Sequence, residues 1–304
     1  MTSNTLPISR SRKMGQFQIG RLAYGCWRFS GTSLPEARKK INTALEIGAN
    51  LIDTAAIYGF GKEGFGGAEA ALGDLLDADK GLREQMVLVT KAGIHPPIPY
   101  DSTKENLIQS CEASLQRLKT DRIDVFLIHR PDLLTPHEEV ADALNTLRRQ
   151  GKILEAGVSN YTLSQTRALQ AFMEFPFAAI QPEISAMTTE TLFDGTLDMC
   201  QEWSITPMAW SPLAAGALAS GEGSADQGQL SRIMAELNRI ADFTNTTPDI
   251  IALAWLLAHP ARIVPIIGSQ KTERISAASA ALDVKLARQD WYSILTASLG
   301  HKLP

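Results

Sequence analysis

Cysteine is scarce. Only Cys26, Cys111 and Cys200 occur in 304 residues, far apart and in no CxxC pair, which excludes a disulfide framework and a zinc knuckle and points to a reducing cytoplasm. Long hydrophobic runs are absent as well, since the longest, 250–258, falls far short of the ~20 residues that cross a bilayer. Neither sign of charge dominates: 29 Lys and Arg stand against 33 Asp and Glu, a net of −4 that offers no field for a nucleic-acid backbone. No linker rich in Pro, Gly and Ser divides the chain, so one domain over 1–304 is expected although the length would hold two. Acidic residues are missing before Glu36. The basic Arg10, Arg12 and Lys13 lie among serines with no clear apolar face, so 1–16 reads as a flexible, mostly solvated tail rather than a targeting peptide.

What is present is an alternation. Short aliphatic runs at 22–26, 50–55, 86–92, 122–129, 153–160, 178–185, 206–212 and 262–268 are separated by stretches of helical period such as 35–47, 103–119 and 137–150. Eight such pairs predict a closed parallel (β/α)8 TIM barrel, whose active site would lie at the C-terminal ends of the strands. The last step is the longest, and 213–229, rich in Gly, Ala and Ser, is expected as a loop able to close over a ligand at that mouth.

Three predicted strands end in an ionisable residue where an apolar run would otherwise continue: Asp53 in NLIDTAAIYG, Lys91 in VLVTKAG and His129 in DVFLIHRPD. Singly, each has an ordinary structural explanation: a turn cap, a rim cation, a hydrogen-bonded core imidazole. Together on adjacent strands they would converge, and burying three such groups in one patch is costly unless they act jointly. Tyr58 alone would read as a surface aromatic. Beside Lys91, the ammonium would lower its phenol pKa from about 10 and make it a proton donor to a carbonyl oxygen.

In order and at barrel spacing, DTAAIYG, TKAG, LIHRPD, GVSN, QPEIS, WSPLAAG and GSQKTERI resemble the aldo-keto reductase superfamily, in particular its bacterial NADP-dependent oxidoreductases, over nearly the whole chain. The resemblance implies Asp53, Tyr58, Lys91 and His129 as a catalytic tetrad. It also implies NADPH as cofactor, a small aldehyde or ketone as substrate, no metal, and a monomer or small homo-oligomer. Hydride would pass from the nicotinamide to the carbonyl carbon, with Tyr58 as general acid, Lys91 tuning it, Asp53 holding Lys91 and His129 orienting the carbonyl. Cofactor contacts carried over are Cys26; Ser159, Asn160 and Gln181 at the carboxamide; Trp210 under the ring; and Ser211, Leu213 and Gly216 at the pyrophosphate. Gly268 and Ser269 are expected to open a helix, with Lys271 and Arg274 sharing a face as a 2′-phosphate clamp. Trp27 and Ile57 match positions that line the substrate pocket.

The sequence departs from the family where Ala277 and Ala278 replace the adenine-contacting Glu and Asn, where Gly268 replaces a Lys, and where Ile180 replaces an Asn. Gly59, Gly61 and Gly64 satisfy the G-x-G-x-x-G fingerprint but do not follow their strand directly, so they are read as a loop beside the pocket. Two other functions stay open: a Schiff-base aldolase built on Lys91, and a regulatory barrel that holds nucleotide with little turnover.

Overall fold

The computed structural model describes residues 5–223 and 226–304. Strands β1 (Ser11–Met14) and β2 (Phe17–Gly20) form an antiparallel hairpin. The eight that follow are β3 (Ala23–Gly25), β4 (Leu51–Asp53), β5 (Val87–Ala92), β6 (Ile123–Ile128), β7 (Ile153–Ser159), β8 (Ala179–Gln181), β9 (Thr206–Ala209) and β10 (Val264–Ile267). They close in chain order into an all-parallel barrel, β10 pairing with both β9 and β3. Each strand lies within its predicted run and is shorter than it. At β8 the reason is local: Pro182 follows Gln181 and has no N–H to continue the ladder.

Helices Leu34–Glu46, Lys104–Leu118 and His137–Arg149 follow the predicted periodic stretches closely. Each lays an apolar stripe on the barrel, as Ala37, Ile41 and Ala44 do on the first. The long step before β10 holds Ala217–Ser220, Gln227–Thr244 and Pro248–Leu257. The last of these contains most of the 250–258 apolar run and is buried on all sides, a core helix.

The N-terminal segment corrects the expectation of a solvated tail. Residues 1–4 lie outside the described residues, but the hairpin closes the N-terminal mouth of the barrel. Met14 and Ile19 are buried against Leu51, Val87, Val125 and Val264 of the interior, each worth about 1.5–3 kcal/mol of transfer free energy. Arg12 donates to the Ala261 and Arg262 carbonyls at 3.0 and 2.6 Å, and the Gln16 N–H donates to Glu155 Oε1 at 3.0 Å. The hairpin turn needs Gly15: φ is +53°, and a Cβ there would sit 2.4 Å from Glu155 Oε1. Sequence pattern missed this because a four-residue strand with one buried basic side chain carries almost no periodicity.

Candidate active site

Strand period places the site. Leu51 on β4, Val87 and Val89 on β5, Val125 and Leu127 on β6, Ala179 on β8 and Met208 on β9 fill the barrel interior. Two residues further along these inward rows stand Asp53, Lys91, His129, Gln181 and Trp210, with Ser159 alongside on β7. The lower layers are aliphatic and the top layer is polar, so the functional groups rest on a packed floor.

Asp53 and Lys91 are buried, and Lys91 Nζ donates to Asp53 Oδ2 and to the Thr54 carbonyl, both at 2.8 Å, and reaches Tyr58 Oη at 3.3 Å. The second Asp53 oxygen accepts from Gln181 Nε2 at 2.8 Å. Tyr58 hangs from the loop after β4, its backbone pinned by Tyr58 N–H to Ala55 O and Ala68 N–H to Tyr58 O, both 3.1 Å. Its ring meets the His129 imidazole edge-on with centroids 5.8 Å apart. All four expected catalytic residues therefore share one patch.

The electrostatics correct one expectation. Burial pushes the Tyr58 phenol above its ordinary value; Lys91 pulls it down but does not win, and Asp53 adds to the rise. Tyr58 accordingly holds its proton at neutral pH. For Lys91, burial alone would lower the pKa, but the Asp53 carboxylate and Tyr58 outweigh it, and the net shift is upward. Fully buried, with its ammonium bonded to Asp53 and the Thr54 carbonyl, Lys91 offers no free amine to a carbonyl, which counts against the Schiff-base reading. Burial, then Lys91 and Arg130, hold His129 well below its ordinary value, so the imidazole is neutral, with Nδ1 buried and unpartnered.

Around this core runs a polar belt. Ser159 Oγ donates to the Gln181 carbonyl at 2.8 Å, Asn160 Nδ2 to His129 O at 3.2 Å and to Ser159 Oγ at 2.9 Å, and Trp210 Nε1 to Asn160 Oδ1 at 3.0 Å. These bonds fix Trp210 over the pocket. Beyond it the chain takes left-handed conformations at Ser211, Ala214, Ala215 and Gly216, with φ of +53°, +48°, +57° and +105°. Three non-glycine residues lie in this strained region within five positions, and the curl is closed from inside: the Ala214 and Ala215 N–H groups donate to Ser211 O and Oγ at 2.8 and 3.0 Å, and the Gly216 N–H to Leu213 O at 2.9 Å. Leu213 anchors the loop by packing against the core.

Other expected contacts fare differently. Cys26 is fully buried in the outer layer with Tyr24 and Phe29, its N–H spent on Asp53 O at 2.7 Å, so its thiol offers no surface to a ligand. The last helix of the clamp is Thr272–Ala277, not one opening at Gly268: Gly268 and Ser269 lie in the preceding loop and Lys271 caps the helix. Ser269 Oγ accepts from the Lys271 N–H at 3.2 Å, a local turn that the sequence pattern read as helix. Lys271 and Arg274 are nonetheless both exposed on this rim, and a Cβ on Gly268 would meet nothing within 4 Å. Ile180 points outward into the helix layer, so that departure from the family pattern never faces the pocket. Trp27 is 61% exposed at the mouth, with the Arg28 guanidinium 4.8 Å from its ring centroid, and Ile57 is partly exposed beside Tyr58. Gly59, Gly61 and Gly64 form a turn closed by the Gly64 N–H to Gly59 O bond at 3.1 Å.

Residues 21–298 match the model of the aldo/keto reductase family. The chain belongs to that family. It is 44% identical over 301 residues, 98% of each chain, to a protein of Novosphingobium aromaticivorans named 6-dehydroglucose reductase. It is 38% identical to a protein of the same name from Agrobacterium fabrum, over 95% of this chain and 97% of that one. Among solved structures, the thermostable aldo-keto reductase Tm1743, determined with the inhibitor epalrestat, superposes with a TM-score of 0.80 at 27% identity, covering 94% of this chain and 99% of that one. This aldo/keto reductase is thus an oxidoreductase built on a (β/α)8 barrel. Among the described residues, no helix is long and apolar enough to cross a membrane.

Sequence reasoning missed two charged neighbours of this site. The Arg130 guanidinium lies 5.9 Å from the Trp210 ring centroid, and Glu183, bridged to Trp210 through the backbone, is pushed up by burial against the pull of Arg130. Their signal was position: one follows His129 and the other lies two after Gln181.

Proposed function

We propose that this aldo/keto reductase reduces a small aldehyde or ketone with NADPH, Tyr58 supplying the proton. The observation that carries the reading is the buried Asp53–Lys91 pair reaching the Tyr58 hydroxyl at 3.3 Å with a neutral His129 beside it. The residues present fit a nicotinamide dinucleotide. Trp210 is held rigidly for stacking, the Asn160 and Ser159 side chains border it, the strained loop from Ser211 to Gly216 suits a pyrophosphate, and Lys271 and Arg274 suit a 2′-phosphate. When bound, that group supplies hydride to the carbonyl carbon.

The chain's own residues do the rest. As the carbonyl π pair moves to oxygen, Tyr58 Oη gives up its proton to that oxygen and becomes phenolate. Lys91, kept cationic by Asp53, offsets the new charge at 3.3 Å, and the buried setting makes that attraction stronger than in water. Neutral His129 orients the carbonyl without competing as an acid. Gln181 keeps Asp53 aimed at Lys91. The names of the two relatives favour a sugar aldehyde as substrate, and the exposed Trp27 suits a sugar ring at the mouth. Three buried, unpaired thiols agree with the cytoplasm as its place.

The deciding experiment is Tyr58→Phe with wild type as control. Turnover across a carbonyl panel that includes 6-dehydroglucose should fall by about 10²–10⁴-fold while NADPH still quenches tryptophan fluorescence. Retained turnover in the variant would overturn the acid role. Tight NADPH binding by wild type with no turnover of any carbonyl would favour the regulatory reading instead.

A further inference from the structure

On the barrel face opposite the active site, the chain enters β10 from the helix Pro248–Leu257, and the segment before β1 lies across that passage. Between them lies a cleft of about 510 Å³, open to solvent on one side, whose walls include Leu6, Pro7, Arg21, Arg262, Arg288 and Trp291. That size is typical of small-molecule sites. Its charge is one-sided: among the described residues three arginines line it and no carboxylate does.

The arginines are not simply neutralised from within. Arg21, fully buried, donates to Ser9 Oγ at 2.7 Å and to the Leu257 and Ile263 carbonyls at 2.9 and 3.1 Å, yet its Nε–H has no acceptor. Burial chiefly, and secondarily the repulsion of Arg12 and Arg262, pulls it down to about 9. Among the described residues the Arg262 guanidinium bonds only neutral oxygens, Ser11 O at 2.6 Å and Ser9 Oγ at 3.4 Å.

Two of the three also sit where the fold would prefer another residue. Arg262 has φ +58°, a left-handed conformation that favours glycine. Arg288 opens the helix Arg288–Leu299, where the dipole repels a cation, and the preceding Ala287 supplies no side-chain cap. The one acid of that first turn, Asp290, is engaged by Arg239 at 2.8 Å. Against these charges stands a rigid aromatic wall: Trp291 stacks on Trp255 at 5.1 Å, each indole N–H donating to the other's carbonyl at 3.0 Å.

We infer that this cleft is a second ligand site, taking a small organic acid whose anionic head meets the exposed Arg262 and Arg288, with the buried Arg21 charge behind them, and whose apolar or aromatic body lies against Trp291. Arg262 in left-handed backbone and Arg288 at a helix start are each unfavourable to the fold and favourable to an anion, and their sharing one cleft points to binding beyond the bonds Arg262 makes to Ser9 and Ser11.

The test is a calorimetric titration with 1-naphthoate, the coenzyme cleft kept filled by excess NADP+, on wild type and on the Arg262→Gly/Arg288→Glu variant. Inhibition of carbonyl reduction by 1-naphthoate is measured in parallel, with inorganic phosphate and the neutral 1-naphthalenemethanol as comparison probes. In the variant, affinity should fall at least tenfold, any inhibition through the active site should be unchanged, and the melting temperature should equal or exceed that of wild type. The neutral alcohol and bare phosphate should each bind wild type at least tenfold more weakly than the acid. Absence of binding, equal affinity in wild type and variant, phosphate binding as tightly as the acid, or a variant melting several degrees lower would each overturn the inference, the last by making the arginines structural.

Discussion

Replacing Lys91 by Met separates the two duties of the buried ion pair. The substitution removes the 2.8 Å bonds to Asp53 and to the Thr54 carbonyl and the 3.3 Å approach to Tyr58, leaving Asp53 with only Gln181 Nε2 as a side-chain partner. Breaking a buried pair from one side costs about 3–5 kcal/mol, because the remaining charge is stranded. For a domain of this size that lowers the melting temperature by roughly 5–15 °C. Turnover suffers by a different route. Without the cation, the Tyr58 phenol rises further above its ordinary value and the phenolate left after proton transfer has no counter-charge, a loss of about 1.5–3 kcal/mol, or roughly 10–100-fold in rate. The double variant Asp53→Asn/Lys91→Met removes the stranded charge and should recover at least half of the lost stability while regaining no activity. Thermal melts followed by circular dichroism, with initial rates from NADPH absorbance, check both arms. A single variant that melts within a degree or two of wild type, or a double variant whose turnover returns with its stability, would refute the reasoning.

Arg274→Ala should weaken NADPH binding by roughly 10–100-fold through loss of a charge-assisted contact while leaving NADH nearly unchanged; fluorescence titrations giving equal losses for both nucleotides would remove the clamp. His259, pulled down to about 4 chiefly by burial, must be neutral in the folded protein. Its contribution is therefore complete above about pH 6.5, where the unfolded imidazole is neutral too, and is lost as pH falls toward 4. His259→Gln should shrink the fall in stability across that window by about 1–3 kcal/mol, read from denaturant melts at a series of pH values. Met14→Ala opens a hole at the closed mouth of the barrel, so urea unfolding should show a loss of about 2–5 kcal/mol with kcat/KM unchanged well below the melting temperature. An undiminished stability would mean that the hairpin is not part of the core.

Much of the candidate site was legible because a strand has period two and a barrel carries its active site at the C-terminal ends of its strands. Once Asp53, Lys91 and His129 were seen to end three successive apolar runs, their convergence followed from topology, and the structure brings them and Tyr58 into contact. Other features were opaque for stated reasons. Whether Tyr58 rises or falls is decided by a balance of desolvation against one ammonium, and desolvation depends on atoms from strands far apart in the chain. The turn before Thr272 mimics a helix start in pattern, because serine favours both. Cys26 matched a motif position, but only the packing of Tyr24 and Phe29 around it closes it off.

The amino-acid order by itself determined the barrel, its strand sequence and which residues stand at its ligand end, since these follow from local periodicity repeated eight times. Tertiary structure alone decided that residues 11–20 close the barrel floor, that Gln181 steadies Asp53, that Asp53 outweighs burial at Lys91 while burial outweighs Lys91 at Tyr58, and that Arg262 and Arg288 face one cleft with no acid among the described residues. Those outcomes depend on burial and on distances between segments remote in sequence, and neither quantity exists until the chain has closed on itself.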